Sequence, residues 1–176
     1  TIKAWSKMLV EIPKSILLIK SSTPADQRVH DEMMLKFKRY NVDRNRIKHM
    51  SKTRFMKDHL KIYNSVDIAL DTFPFNGATT TLEALWMGVP VMTIKGNVHH
   101  ARVSTSVLKA LDMDYCIAKD EKEFIEKTLK MSKDKKRLKV LRNTLRDNIK
   151  NSSLNNGKLF AQNVEGEYLK MFEKLK

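Results

Sequence analysis

Apolar residues recur along this chain in two alternating patterns, a helical one and short unbroken runs. Ile2, Trp5, Met8, Leu9 and Ile12 fall at helical spacing and form one apolar stripe, which Pro13 stops. Ser15 to Lys20, carrying Ile16-Leu17-Leu18-Ile19, reads as a strand buried on both faces. After a loop over Ser21 to Ala25, Asp26 is a suitable cap for a helix to about Tyr40, in which Val29, Met33, Met34 and Phe37 keep the period. Asn41 to Arg44 is a turn and Arg46 to Met50 a short second strand. Thr53 to Asn64 is helical, with Ser51 or Thr53 as its cap and Phe55, Met56, His59, Leu60 and Tyr63 as its apolar face. Ile68 to Leu70 and Pro90 to Ile94 are further buried strands.

Downstream, His99 to Leu111 reads as a helix and Tyr115 to Ala118 as a last strand. Next come helices over Glu121 to Met131 and Lys135 to Ile149, built on Phe124, Ile125, Thr128 and Leu129 and on Leu138, Leu141, Leu145 and Ile149. A polar loop, Asn151 to Gly157, precedes a closing helix that carries Phe160, Val164, Tyr168, Met171, Phe172 and Leu175. Short apolar strands alternating with helices indicate an α/β domain: a Rossmann-like, mostly parallel sheet with helices on both faces. At 176 residues the chain is one domain. It opens on Thr1 rather than Met, which suggests a piece cut from something longer.

The chemistry concentrates between Asp67 and Thr93. Phe73-Pro74-Phe75-Asn76-Gly77 breaks regular structure after the third strand, and Ala78-Thr79-Thr80-Thr81 leads into the helix-forming run Leu82 to Met87. Gly88 suits the left-handed position that ends a helix, and Pro90 blocks continuation. A helix N-terminus presents unpaired N–H groups and about half a positive charge, so it binds anions without a cationic side chain. The threonine hydroxyls add donors there. The same residues fit plain capping, because Thr80-x-x-Glu83 matches a capping box. The residues alone leave both readings open.

The stretch from Asp71 to Val91, together with Lys95 to Val103 and Leu145-Arg146-Asp147, closely resembles the C-terminal catalytic half of the O-linked N-acetylglucosamine transferase and SPINDLY family. The resemblance runs from Trp5 to the closing helix. It implies the C-terminal half of a GT-B glycosyltransferase, which holds a nucleotide-sugar and transfers the sugar to a protein hydroxyl with inversion and without a metal or other cofactor. It also implies site residues. Ala78, Thr79, Thr80 and Thr81 would meet the phosphates, Glu83 the ribose hydroxyls, Arg54 to Met56 the nucleobase, and His59 the nucleotide. Read without the family, His59 is better taken as a core histidine satisfied by a local carbonyl.

Relatives use UDP-N-acetylglucosamine, UDP-glucose or GDP-fucose, with UDP-N-acetylglucosamine the leading expectation. This chain departs from the animal enzymes at Ala78 (histidine there), Met56 (lysine) and Ile62 (arginine). The family's phosphate-binding lysine and the catalytic and acceptor residues would lie ahead of Thr1, so the piece alone is expected to be inactive. The family's closing helix packs on the other half, which predicts an exposed Phe160/Tyr168/Phe172 face.

Composition narrows the rest. Thirty-four Lys and Arg against twenty Asp and Glu give a formal net charge of +14. The charges are spread along the chain, only Lys133 to Arg142 is dense, and no RNA-binding or zinc-ligand signature appears, so a solvated surface is the better reading than a nucleic-acid partner. His99 and His100 lack neighbouring Cys, Asp or Glu to complete a metal site and, with Arg102, are expected near the mouth of the donor cleft. The single cysteine, Cys116, excludes an internal disulfide and suits a reducing, cytoplasmic setting, and no apolar run reaches membrane-spanning length. The rival functions are a non-catalytic basic binding module and a GT-B transferase acting on a glycan or lipid.

Overall fold

The computed structural model describes residues 1–21 and 27–175, so the predicted cap at Asp26 lies outside the described residues. The main elements are α1 (Ile2–Glu11), β1 (Leu17–Lys20), α2 (Gln27–Lys38), β2 (Ile47–Met50), α3 (Met56–Ile62), β3 (Ala69–Leu70), α4 (Thr79–Trp86), β4 (Val91–Ile94), α5 (Val103–Lys109), β5 (Ile117–Ala118), α6 (Glu121–Lys133), α7 (Lys135–Asn151) and α8 (Gly157–Glu173). All strand pairs are parallel. Their hydrogen bonds form two ladders, β1 with β2 and β3–β4–β5. Val91, Met92 and Thr93 of β4 are all buried. Successive strand residues point to opposite faces, so helices must cover this strand on both sides.

Two apolar clusters form the interior. The larger joins Leu85, Val89, Met92, Leu108, Phe124 and Leu145, and the smaller joins Leu9, Met34, Phe37, Val42 and Ile47. Helix α1 bridges them, because adjacent Met8 and Leu9 enter different clusters. Arg46 ties that helix to the second strand. Its guanidinium donates to the carbonyls of Leu9 (2.6 Å), Ile12 (2.7 Å) and Ser15 (3.0 Å), satisfying groups that the end of α1 leaves unpaired.

Several predicted boundaries move. Helix α3 starts at Met56, not Thr53, with Phe55 as a cap that offers no side-chain bond. Phe55 and Met56, predicted on its apolar face, are 60% and 62% exposed, and Val29 of α2 is also exposed. The helix predicted from His99 opens as a 3-10 turn, His99–Ala101, before α5, and the strand predicted from Tyr115 shortens because Asp114–Cys116 forms another. The loop after Asn151 contains a 3-10 turn as well, Ser153–Asn155, and Asn156 caps α8. On α8, Phe160, Tyr168 and Phe172 are exposed, as the resemblance implied. Among the described residues, no helix is long and apolar enough to cross a membrane.

Cys116 is fully buried, and burial pushes its thiol up to about 12. At pH 8 the folded protein should therefore resist thiol reagents, since the thiolate is the reacting form. Labelling should begin only where denaturant unfolds the chain. Rapid modification of the native protein would contradict this packing.

Candidate functional site

The turn between β3 and α4 is organised by a carboxylate that the motif reading passed over. Asp71 follows β3 directly and is buried. Its Oδ1 accepts the N–H groups of Gly77 (2.7 Å) and Thr72 (3.0 Å), and its Oδ2 accepts the hydroxyl of Thr93 from β4 (2.7 Å). Burial raises its carboxyl above the usual range, while the bonds from Gly77, Thr93 and Thr72 pull the other way. Asn76 adds a second clamp, its N–H donating to the His100 carbonyl at 2.9 Å and its side-chain amide to Thr72 O at 3.2 Å. The His100 ring stacks on Phe75 at 5.4 Å. A side chain at position 77 would crowd the turn, since a Cβ would sit 2.6 Å from the Thr80 hydroxyl and 2.8 Å from that of Thr81, which Ser104 holds.

This folding brings α4 in at Thr79. Ala78 is the cap residue and supplies no side-chain bond, and the first helical bond runs from Leu82 N to Ala78 O at 3.2 Å. The amides of Thr79, Thr80 and Thr81 precede that bond and have no earlier helical carbonyl to meet. Ala78, Thr79 and Thr80 are exposed. Thr81 is different: it is buried, and its hydroxyl bonds Ser104 at 2.8 Å, so that hydroxyl is already committed. Ser104 in turn donates to Gly77 O at 2.9 Å.

The capping box does not form. Glu83 turns away from the cap, and its Oε2 meets His59 Nε2 at 2.9 Å. On the other side of the ring, Lys20 Nζ contacts His59 Nδ1 and donates to Thr53 Oγ1 at 3.1 Å. An ammonium has no acceptor, so Nδ1 accepts and Nε2 carries the hydrogen donated to Glu83. The histidine is thus neither buried in the core nor satisfied by a carbonyl, but links α3 to α4. The Tyr63 ring lies edge-on to His59 at 5.5 Å, and its hydroxyl donates to Thr80 O at 3.4 Å. Burial first, then the nearby Glu83, pushes that phenol up to about 12, so it stays a donor.

Of the residues read from the sequence, His59, Ala78, Thr79, Thr80, Thr81 and Glu83 therefore gather at one edge, near the C-terminal ends of β1 and β3. Arg54 and Met56 stand exposed just before or at the start of α3, Arg54 over the Phe55 ring at 5.3 Å, and neither makes the bonds that join α3 to α4. Lys20, Thr53, Tyr63, Asp71 and Ser104 complete the site and were missed from sequence. Lys20 was findable: it ends β1, and ligands of open parallel sheets bind beyond the carboxyl ends of the strands.

Fold and turn together define a Rossmann-like α/β unit of the GT-B glycosyltransferase kind, with open helix amides at a strand-end loop. The sequence profile of glycosyl transferase family 41 matches residues 1–164, and the chain belongs to that family. It is 32% identical over 173 residues to the probable UDP-N-acetylglucosamine–peptide N-acetylglucosaminyltransferase SPINDLY of Arabidopsis thaliana, covering 98% of this chain and 19% of that protein. The UDP-N-acetylglucosamine–peptide N-acetylglucosaminyltransferase of Caenorhabditis elegans is 29% identical over 143 residues, 81% of this chain and 12% of that one. A solved mutant of the Thermobaculum terrenum O-GlcNAc transferase superposes with a TM-score of 0.88 at 30% identity, over 97% of this chain and 32% of that one. The chain thus spans well under half the length of these relatives.

Proposed function

We propose that this chain is the donor-binding half of an inverting glycosyltransferase that moves N-acetylglucosamine from UDP-N-acetylglucosamine to serine or threonine of a protein. The observation that carries the reading is the run of amides at Thr79 to Thr81, which precede the first helical bond, beside the Lys20–His59–Glu83 chain. Charge grows on the leaving nucleoside diphosphate as the glycosidic bond breaks, and fixed N–H donors aimed at it lower the barrier. The exposed hydroxyls of Thr79 and Thr80 add to them. Thr81 contributes its amide alone. The second oxygen of Glu83 takes the ribose hydroxyls, His59 packs on the nucleotide, and the segment from Arg54 to Met56 meets the base. The exposed apolar face of α8 packs on the other half, which supplies the base, the acceptor groove and a further phosphate-binding lysine. The setting is cytoplasmic.

Calorimetric titration tests the donor role. UDP should bind the chain weakly and saturably, with N-acetylglucosamine transfer seen only in the full-length protein. Binding of GDP but not UDP would replace the proposed donor, and binding of neither up to millimolar concentration would remove the reading. The leaving charge is met here by amides and hydroxyls, so excess EDTA should leave transfer by the full-length protein unchanged. Loss of activity that added divalent metal restores would contradict that step.

A further inference from the structure

A concavity of about 250 Å³ opens beside α5, with Lys95, His99, Arg102, Thr105, Ser106 and Lys109 among the residues that line it. Arg102, Thr105, Ser106 and Lys109 have the spacing that puts residues on one helical face. Ser104, which holds Gly77 and Thr81 of the donor turn, is rotated about 200° around the helix from both Arg102 and Ser106. Ser106 and Lys109 of the concavity therefore face away from that turn, while His99, next to the His100 whose carbonyl holds Asn76, borders both.

Its charges are unbalanced. No acidic residue lines it, and among the described residues no carboxylate pairs with Lys95, Arg102 or Lys109. Elsewhere the chain does pair its lysines, as at Lys127–Glu123 (3.1 Å), Lys150–Asp147 (3.0 Å) and Lys170–Glu167 (2.7 Å). Like charges brought together without a counter-charge repel, so the arrangement favours an anion. The second observation is independent of charge. Thr105 is 4% exposed, and its hydroxyl has no hydrogen-bond partner, although buried hydroxyls nearly always find one. Ser106 differs, since its hydroxyl donates to Arg102 O at 3.1 Å.

We propose that this concavity is a second anion site, taking a small phosphate-class oxyanion through the Lys95, Arg102 and Lys109 side chains and the Thr105 hydroxyl. The site is separate from the donor turn and stands whether or not that turn binds a nucleotide.

Titrating the isotope-labelled chain with sodium pyrophosphate, with sodium chloride holding ionic strength constant, tests it by NMR. Saturable shifts are expected at the amides from His99 to Ser106. The double variant Arg102→Gln/Lys109→Gln, both at exposed positions, should weaken binding at least tenfold. Thr105→Val removes a hydroxyl that bonds nothing, so it should leave the melting temperature of the unliganded chain unchanged or higher while weakening pyrophosphate at least threefold. Thr80→Glu, which puts a carboxylate on the donor turn, should change the affinity less than twofold. Shifts centred on Ala78 to Thr81 and abolished by Thr80→Glu would assign the binding to the donor turn and overturn the proposal. Shifts that do not saturate, or an affinity unmoved by both Thr105→Val and the double variant, would overturn it too.

Discussion

Gly88→Ala should destabilise the domain by about 3 kcal/mol or more, since a left-handed backbone and a lack of space both oppose the new methyl. Gly88 has φ +77° and comes directly after Met87, the residue that caps the end of α4. A Cβ there would stand 2.9 Å from Arg142 Cα and closer still to the Arg142 carbonyl oxygen. Those are backbone atoms of α7, which cannot rotate aside. The contact is fixed from the other direction as well: the Arg142 guanidinium donates to the carbonyls of Tyr63 (3.0 Å), Met87 (2.9 Å) and Val66. One arginine thus closes the ends of α4 and of the turn after α3 while its backbone packs on Gly88. Urea unfolding checks the expectation, with Gly166→Ala as the control. Gly166 is in α8 with nothing within 4 Å of a new Cβ, so that change should stabilise by about 0.5–1 kcal/mol, as alanine does over glycine inside a helix. A cost below about 1 kcal/mol at Gly88 would mean that α7 does not approach α4 this closely.

Asp71→Ala should cost roughly 2–4 kcal/mol and abolish the nucleotide binding proposed for this turn, because buried donors left without acceptors bear their full desolvation penalty. The Gly77 N–H and the Thr93 hydroxyl lose their partner together. Asp71→Asn should cost less. Its oxygen can still accept from Gly77 and Thr72, and the Thr93 hydroxyl can turn to accept from the new amide. The pair also gives a pH test. Burial holds the Asp71 carboxyl above its ordinary value in the folded chain, so folding takes up a proton there. The contribution of that titration is greatest below the unfolded-state range and is lost as pH rises through the folded value. Wild type should therefore lose stability relative to Asp71→Asn between acid and neutral pH. A difference that instead grew toward neutral pH would show that the three hydrogen bonds outweigh the burial.

Much of the fold was legible because burial imposes periodicity. The run Val91 to Ile94 had to be a strand covered on both faces, and the spacing of Leu138, Leu141, Leu145 and Ile149 had to be a helix with one inward side. The first apolar run also formed a strand, but it is only half-buried over Leu17 to Lys20 and leaves Ile16 exposed outside it, so the expectation that it is buried on both faces is corrected. The errors fell where pattern competes with local hydrogen bonding. Thr80 and Glu83 satisfy the capping-box spacing, yet Glu83 finds His59 on α3 and the cap is left to Ala78. Phe55 and Met56 continue an apolar period, but a helix start has no preceding turn to hold its side chains against the core, and both project outward.

By itself, then, the order of residues determined which segments are strands and helices, where the glycine-containing turn falls, and that threonine amides stand at the mouth of a helix. Those are properties of neighbours in the chain, set by backbone sterics and by the spacing of apolar side chains. Only the tertiary structure decided which polar groups meet: Lys20 with His59, His59 with Glu83, Asp71 with Thr93, and Ser104 with both Gly77 and Thr81. Each of these pairs joins residues far apart in sequence, and hydrogen bonding, unlike apolar periodicity, leaves no regular mark along the chain.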